Sequence, residues 1–218
     1  MGKGDLALCR ALAPTLVAAD GGVGHCLPYG IIPRCVIGDL DSLSDNHRAN
    51  IPEDRLWHIA EQDSTDFDKA LRHIEAPLVI GVGFTGGRID HQLSCYSSLL
   101  GHPDRRCLLL GEEDVVFLCP PQFTIDLSAG TRLSLFPMGA VQGTSDGLEW
   151  PIDGLALAPE GRIATSNRAT GPVTVTVDAP NMLVILPHSC LEIAVRALVA
   201  PSGSWPARAA GHTTPSKS

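Results

Sequence analysis

Patterns typical of β-strands and α-helices alternate over the first half of this 218-residue chain. Short apolar runs of strand character end at glycine-rich or acidic turns, and stretches with helical spacing follow them. Such alternation predicts a mostly parallel sheet with helices on both faces. We therefore expect an α/β domain over residues 1–112.

The second half has a different pattern, in which short strand-like runs alternate with turns that contain Gly or Pro. Strands are expected at 115–119, 122–127, 132–137, 155–158, 173–177 and 182–186. A last stretch, 191–199, fits a helix or a final strand. The pattern predicts an all-β sandwich or barrel over residues 113–200. Residues 201–218, rich in Pro, Ala, Ser and Gly, are predicted to be a disordered tail.

Three polar turns follow expected strands of the α/β half, at residues 20–22, 38–42 and 83–91. Ligands of open α/β sheets collect beyond the carboxyl ends of the strands. The three turns are therefore expected to meet at one active site. In the glycine-rich third turn, backbone N–H groups could hold phosphate oxygens and Arg88 could bind them bidentately.

The second polar turn contains Asp39 and Asp41, directly after the apolar strand Cys35–Gly38. In an extended segment, their side chains would leave the same face. Two such carboxylates repel each other unless a cation lies between them, and hard oxygen donors suit Mg²⁺. An Asp-x-Asp pair alone is more often a pair of solvated turn residues.

A second acidic run, Gln62–Lys69, makes the metal interpretation the better one. It places Asp66 in the first turn of an amphipathic helix, where carboxylates are favoured, and Thr65 or Ser64 can cap that helix. Two acidic runs at the boundaries of apolar elements predict a divalent metal site.

Composition excludes several classes of protein. The formal net charge is −8 and no run of Lys or Arg stands out, which argues against non-specific nucleic-acid binding. The seven cysteines are scattered, odd in number and without a C-x-x-C pair, which is typical of a reducing compartment. The stretch 6–19 fits a helix followed by a strand better than an export signal, and no run is apolar enough to span a bilayer. A cytoplasmic location is expected.

Six motifs follow one another along the chain. They are Asp20-Gly21-Gly22, Gly38-Asp39-Leu40-Asp41-Ser42, Gln62-Asp63-Ser64-Thr65-Asp66 with Lys69, Gly86-Gly87-Arg88-Ile89-Asp90-His91, Gly147-Leu148-Glu149-Trp150 and Thr165-Ser166-Asn167. Because the motifs occur in the same order in thiamine pyrophosphokinases, the chain resembles that family from about Asp5 to Leu186. Each motif alone is weak, and the ordered set is specific.

The resemblance implies a fold, a reaction and an assembly. The fold is an N-terminal α/β domain followed by a C-terminal β-sandwich. The reaction is the Mg²⁺-dependent transfer of pyrophosphate from ATP to thiamine, which gives thiamine diphosphate and AMP. The assembly is a homodimer with its active site at the subunit interface.

The resemblance also implies roles for single residues. Mg²⁺ is assigned to Asp39, Asp41 and Asp66, which together with Lys69 and Arg88 form the catalytic set. ATP binding is assigned to Asp20, Gly21, Gly22, Gln62, Thr65, Lys69, Arg88, Asp90 and His91. Thiamine is assigned to Trp150, Ser166 and Asn167. A stacking role suits Trp150 because thiamine is a flat cation and an indole face attracts cations.

Other functions stay open from the sequence. A pyrophosphokinase for another hydroxymethyl heterocycle, such as a pterin, is the nearest alternative. A catalytically impaired homologue that binds nucleotide or thiamine is another. A phosphatase built on the Asp-x-Asp pair fits less well, because the group around Thr65, Asp66 and Lys69 is more simply explained by ATP.

The chain departs from the family pattern at its N-terminus. Members usually begin with a strand and a Gly-rich turn before the helix that corresponds to Asp5–Ala13, and here only Met1-Gly2-Lys3-Gly4 precedes it. We expect the true reading frame to start further upstream, or the chain to have been shortened. A missing inner strand would leave sheet edges unpaired.

Overall fold

The computed structural model describes residues 3–200 and 203–208. The α-helices are α1 (Lys3–Leu12), α2 (Asp45–Arg48), α3 (Asp66–His73), α4 (Ile89–Gly101) and α5 (Leu191–Val199). The strands are β1 (Val17–Ala19), β2 (Cys35–Gly38), β3 (Leu56–His58), β4 (Val79–Val82), β5 (Cys107–Leu110), β6 (Asp114–Leu118), β7 (Gln122–Ile125), β8 (Arg132–Pro137), β9 (Gly143–Leu148), β10 (Ala164–Val177) and β11 (Met182–Pro187). Short 3₁₀ helices lie at Asp20–His25, Leu27–Tyr29, Glu53–Arg55 and His188–Cys190.

The first sheet is parallel and has the order β1-β2-β3. Its central strand β2 is buried along its whole length, as expected for a short apolar run covered on both faces. Ala19 of β1 lies opposite Ile37 of β2, so the two strands end side by side. The turns that follow them, at Asp20 and at residues 39–42, are therefore neighbours.

The second sheet contains the remaining eight strands, in the order β4-β5-β6-β11-β8-β10-β7, with β9 also paired to β10. Only the β4-β5 pair is parallel, and the other pairs are antiparallel. The long strand β10 pairs with β8 through Ala164–Arg168 and with β7 and β9 mainly through its later residues. The sheet therefore changes partners along β10 and curls round a core.

The strands are shared between the two sheets differently from what the sequence predicts. The sequence placed all the parallel strands in one N-terminal sheet, whereas β4 and β5 extend the second sheet. The predicted boundary at residue 112 falls between β5 and β6, which pair with each other through Leu108–Leu110. The physical reason is that β5 and β6 are joined by a tight turn, and a tight turn between adjacent apolar strands favours antiparallel pairing.

Two apolar clusters lie on opposite faces of strands β5, β6 and β11. On one face, Leu108 and Leu110 belong to the main core, which also contains Phe123 of β7 and Leu191 of α5. On the other face, Leu109 packs in a cluster with side chains of α3 and α4. Successive side chains of a strand point to opposite faces, so burial on both sides requires the continuous apolar runs seen here.

A cavity of about 810 Å³ separates the two sheets. It is lined by β1 residues on one side and β4 residues on the other, together with apolar side chains of α1. Within the described part of the chain, β1 pairs only with β2 and β4 pairs only with β5. Each sheet therefore presents one unpaired parallel edge to this cavity.

Most expected elements of the second half are present, with three differences. Strand β9 and the first half of β10 were not expected. The expected strand at 155–158 is wrong, because Leu157 makes only isolated bridges to Val141 and Arg162. Residues 191–199 form the helix α5.

Part of the predicted disordered tail is described, namely residues 203–208, in which Trp205 Nε1 donates a hydrogen bond to the Cys119 carbonyl at 2.8 Å. Residues 201–202 and 209–218 lie outside the described residues. In the described ranges, none of the helices combines the length and apolar character needed to cross a membrane.

Candidate active site

Asp20, directly after β1, is the most deeply placed acidic residue of the site. It is only 3% exposed, its φ of 39° is left-handed, and its buried Oδ1 atom has no hydrogen-bond partner among the described residues. It packs against Gly38, where an added Cβ would lie 2.8 Å from the Asp20 Cβ. Gly38 is therefore needed for the close approach of the two strand ends. A buried carboxylate oxygen without a partner is costly unless a ligand satisfies it.

Asp39 and Asp41 come together through a turn and not through the extended segment expected from the sequence. Leu40 between them has a left-handed φ of 63°. The Asp41 N–H donates to Asp39 Oδ1 at 3.3 Å, and the Ser42 hydroxyl donates to Asp41 Oδ1 at 3.0 Å. The hydrogen bond from the Asp41 backbone, followed by one from Gln62, holds the pKa of Asp39 below its usual value.

The tight acidic group consists of Asp20, Asp39 and Asp41. One carboxylate oxygen of each lies within 4.8 Å of the others. Oxygen donors at this spacing, one of them buried and unpartnered, form a set that fits a hard divalent cation. The sequence had placed Asp66 in the metal set and Asp20 with the nucleotide, whereas the tight group contains Asp20 and leaves Asp66 at its border.

Asp66 faces the group across the side chain of Lys69. The Lys69 ammonium, only 2% exposed, lies 3.3 Å from Asp66 Oδ1 and 3.7 Å from Asp39 Oδ2. Desolvation raises the pKa of Asp66, and the nearby ammonium opposes that rise. The buried ammonium of Lys69, one turn into α3, thus bridges the carboxylates of Asp39 and Asp66.

Gln62 and Thr65 lie in the loop before α3. The Gln62 side-chain amide donates to Asp39 Oδ2 at 2.9 Å. Thr65 is the N-cap of α3, and its hydroxyl accepts from the Asp68 N–H at 3.3 Å. Of the two candidate caps, Thr65 is therefore the one used. Gly21 of the first turn lies against the second turn, since an added Cβ would be 3.2 Å from the Ser42 Cβ.

The third polar turn forms a group of its own. Arg88 pairs with Asp90 at 2.5 Å, and both side chains are well exposed, 71% and 61%. This pairing raises the pKa of Arg88 and lowers that of Asp90. His91 is also exposed. Among the described residues, no hydrogen bond or ion pair joins these three side chains to the acidic group. The same turn begins beside the cavity, which Gly83 and Gly22 both line.

Trp150, at the end of β9, presents a half-exposed indole. Its backbone is held by Asn167, whose side-chain Oδ1 accepts from the Trp150 N–H at 3.1 Å and whose Nδ2 donates to the Trp150 carbonyl at 2.6 Å. Asn167 itself is buried. Its amide is thus engaged with the chain, which the sequence did not indicate. The neighbouring Ser166 is exposed, with a left-handed φ of 59° and its N–H bound to Ser134.

Comparison with known proteins identifies the family. The model for the catalytic domain of thiamin pyrophosphokinase matches residues 9–109, and the model for its vitamin B1 binding domain matches residues 122–182. The two matches follow one another and cover most of the chain. The chain belongs to the thiamine pyrophosphokinase family.

Individual relatives agree with this. Thiamine pyrophosphokinase 3 of Oryza sativa subsp. japonica is 28% identical, with 67% of this chain and 63% of the relative covered. Thiamine pyrophosphokinase of Bacillus subtilis is also 28% identical, with 69% and 76% covered. The chain spans about three fifths of the length of the plant relatives it matches.

Solved structures share the fold. Thiamin pyrophosphokinase from Candida albicans superposes with a TM-score of 0.67 at 16% identity, over 79% of this chain and 82% of that one. The Bacillus subtilis enzyme gives 0.65 at 23% identity, over 78% and 86%. At these identities, the likeness concerns the fold alone.

Proposed function

We propose that this protein is a thiamine pyrophosphokinase, which transfers the pyrophosphoryl group of ATP to the hydroxyethyl group of thiamine and releases AMP. The observation that carries the proposal is the acidic group of Asp20, Asp39 and Asp41, with a buried, unpartnered oxygen on Asp20. Family membership supports the choice of ATP and thiamine as substrates.

Asp20, Asp39 and Asp41 would hold the metal, which we propose to be Mg²⁺. Asp66, assigned to the metal by resemblance, stays a proposed ligand at the border of the group. Mg²⁺, when bound there, would neutralise charge on the phosphates. The Asp39 carboxylate is preorganised for metal binding, because the hydrogen bond from Gln62 and the turn at Leu40 fix its position in the metal-free chain.

The protein's own cations would orient the nucleotide. The buried Lys69 ammonium lies between Asp39 and Asp66, where it could also meet phosphate oxygens. Arg88 is exposed and, within the part of the chain that the structure describes, pairs only with its near neighbour Asp90, so a phosphate could replace Asp90 as its partner. In the reaction, the thiamine hydroxyl oxygen bonds to the β-phosphorus and its proton is released to water. The bond from the β-phosphorus to the oxygen shared with the α-phosphorus breaks, and AMP leaves with that oxygen.

The thiamine site is proposed to lie at Trp150 of a second copy of the chain. Within one described chain, no hydrogen bond or ion pair joins Trp150, Ser166 or Asn167 to the acidic group. A homodimer in which each copy supplies one half of the site would complete it. At a thiamine concentration well below the KM, mixing the inactive Asp39→Asn with the weakened Trp150→Ala should then restore about a quarter of wild-type activity, because half of the dimers carry one intact site. Failure of the mixture to recover activity would argue against a shared site.

The test of the activity is incubation with ATP, Mg²⁺ and thiamine, followed by detection of AMP and thiamine diphosphate. Asp39→Asn is the control, and it should form neither product. Replacing thiamine by a hydroxymethyl pterin tests the alternative substrate. Binding of ATP or thiamine without any product would identify a catalytically impaired homologue. A cytoplasmic location is proposed because all seven cysteines are buried free thiols, which fits a reducing compartment.

A further inference from the structure

Arg72 of α3 binds both ends of the loop that carries Gln62, residues 61–64. Its Nη2 atom donates to Glu61 Oε2 at 2.9 Å and to Ser64 Oγ at 2.7 Å. These two contacts enclose residues 62 and 63. Gln62 donates to Asp39 Oδ2 at 2.9 Å, so the position of the loop influences the position of the Asp39 carboxylate.

The guanidinium of Arg72 is itself anchored from the other side. Its Nε atom lies 3.2 Å from Asp68 Oδ2, and Asp68 Oδ1 lies 2.9 Å from His102 Nε2 at the end of α4. A planar guanidinium carries its donors on three separate nitrogens, so Nε and Nη2 can bind partners in different directions, whereas all the donors of a lysine lie on one nitrogen. Hydrogen bonds from Ser64 and then Arg72 hold the pKa of Glu61 below its usual value.

The loop has little else to hold it. Its four residues, 61–64, are polar and none is buried. Loops with few apolar contacts open easily, so their placement depends on polar anchors. Arg72 supplies two such anchors from the rigid helix that also carries Lys69.

We propose that Arg72 is a positioning residue of this site. It fixes loop 61–64 so that Gln62 keeps the Asp39 carboxylate in place for the cation. The expected effect of Arg72 on metal binding rests on the proposed function. The proposal that Arg72 fixes the position of loop 61–64 does not. A half-exposed ion pair contributes little to global stability. Loss of Arg72 should therefore act on the site more than on the melting temperature.

The test compares Arg72→Ala with wild type by two measurements, backbone ¹⁵N relaxation of residues 61–64 and titration with Mn²⁺ in place of Mg²⁺. Arg72→Ala should lower the order parameters of the loop and weaken Mn²⁺ binding about tenfold, as loss of outer-shell partners commonly does. Arg72→Lys should be intermediate because an ammonium cannot keep every contact. Arg105→Ala is the matched control: it removes an arginine of similar exposure that pairs with Asp104 and not with the loop, so the loop and the Mn²⁺ affinity should stay unchanged.

A double variant decides whether Arg72 acts through Gln62. In the Gln62→Ala background, removing Arg72 should cause no further loss of Mn²⁺ affinity. Losses that simply add would overturn the proposal, and so would unchanged order parameters in the loop of Arg72→Ala. If the wild type binds no Mn²⁺, the metal site of the proposed function fails, and the relaxation measurement alone still decides whether Arg72 holds the loop.

Discussion

The ammonium of Lys69 lies 3.3 Å from Asp66 Oδ1, one turn along the same helix. The same ammonium lies 3.7 Å from Asp39, so a buried positive charge stands at the border of the proposed cation site. This arrangement gives Lys69 two opposite effects. It repels a metal ion, and it attracts the phosphates that the metal would bring.

Replacing Lys69 by Met should therefore separate metal binding from catalysis. Lys69→Met should bind Mn²⁺ several-fold more tightly because a like charge has been removed. Its kcat should fall about 100-fold or more, the usual cost of losing a donor that stabilises developing charge. Calorimetric Mn²⁺ titration and steady-state kinetics measure the two effects. Arg48→Met, which removes an exposed positive charge on α2, is the control and should change neither. A parallel loss of metal affinity and turnover in Lys69→Met would contradict this role.

Asp20→Asn should stabilise the metal-free protein and remove its response to Mg²⁺. Asp20 crowds against Asp39 and Asp41, and Asn keeps the shape and tolerates the left-handed φ of 39° without the charge. In wild type, Mg²⁺ at 100 times its Kd should add about 2.7 kcal/mol, or about 5–10 °C in Tm. Thermal melts with and without Mg²⁺ measure this shift. Asp63→Asn makes the same change on an exposed carboxylate and should keep the full shift. The same shift in Asp20→Asn would remove Asp20 from the metal set.

The core of this site could be predicted from the sequence because its residues lie at the ends of apolar runs. Asp39 and Asp41 directly follow the strand β2, and Lys69 lies one turn into an amphipathic helix with a Thr cap. The sequence predicted that the turn of Asp20 meets the turn of Asp39 and Asp41, but it did not predict that Asp20 belongs to the tight acidic group. The place of Asp20 depends on the parallel register of β1 with β2 and on the space beside Gly38, which are contacts between distant segments.

Strand β9 and the first half of β10 were not predicted, and the reason is the same for both. Gly143–Leu148 and the first half of β10 are mostly polar, with few apolar side chains to produce a period of two. Their pairing with each other and with β8 makes them strands. The split of the parallel strands into two sheets was not predicted, because a local sequence pattern predicts a strand but does not specify which strands pair with it. The unpaired edges of β1 and β4 result from that split.

The buried thiols of Cys107 and Cys119 should make the protein less stable in alkali. Burial raises the pKa of each to about 12. A raised pKa in the folded state means that the unfolded chain loses its thiol protons first as pH rises. The stabilising contribution is therefore present below about pH 9 and is lost between pH 9 and 12, by up to about 1.4 kcal/mol per pH unit for each thiol.

Urea unfolding between pH 8 and 10.5 measures this loss. The double variant Cys107→Ala/Cys119→Ala should have a lower free energy of unfolding at pH 8, because two side chains have been shortened in the core. Its decline with pH should nevertheless be shallower than that of wild type. Equal slopes in the two proteins would mean that these thiols are not protected from ionisation.

Trp150→Ala should raise the KM for thiamine and leave the KM for ATP unchanged. The half-exposed indole is held in place through its backbone by Asn167, so its face is available to a flat cation. Losing a cation–π contact of about 0.7–2 kcal/mol corresponds to a rise of about threefold to thirtyfold. Steady-state kinetics with each substrate varied in turn give both constants. Trp57→Ala is the matched control, since Trp57 is also half exposed but lies on β3, and both KM values should stay as in wild type. Trp150→Phe should recover part of the affinity, because a phenyl face attracts a cation less strongly. An unchanged thiamine KM in Trp150→Ala would place the substrate elsewhere.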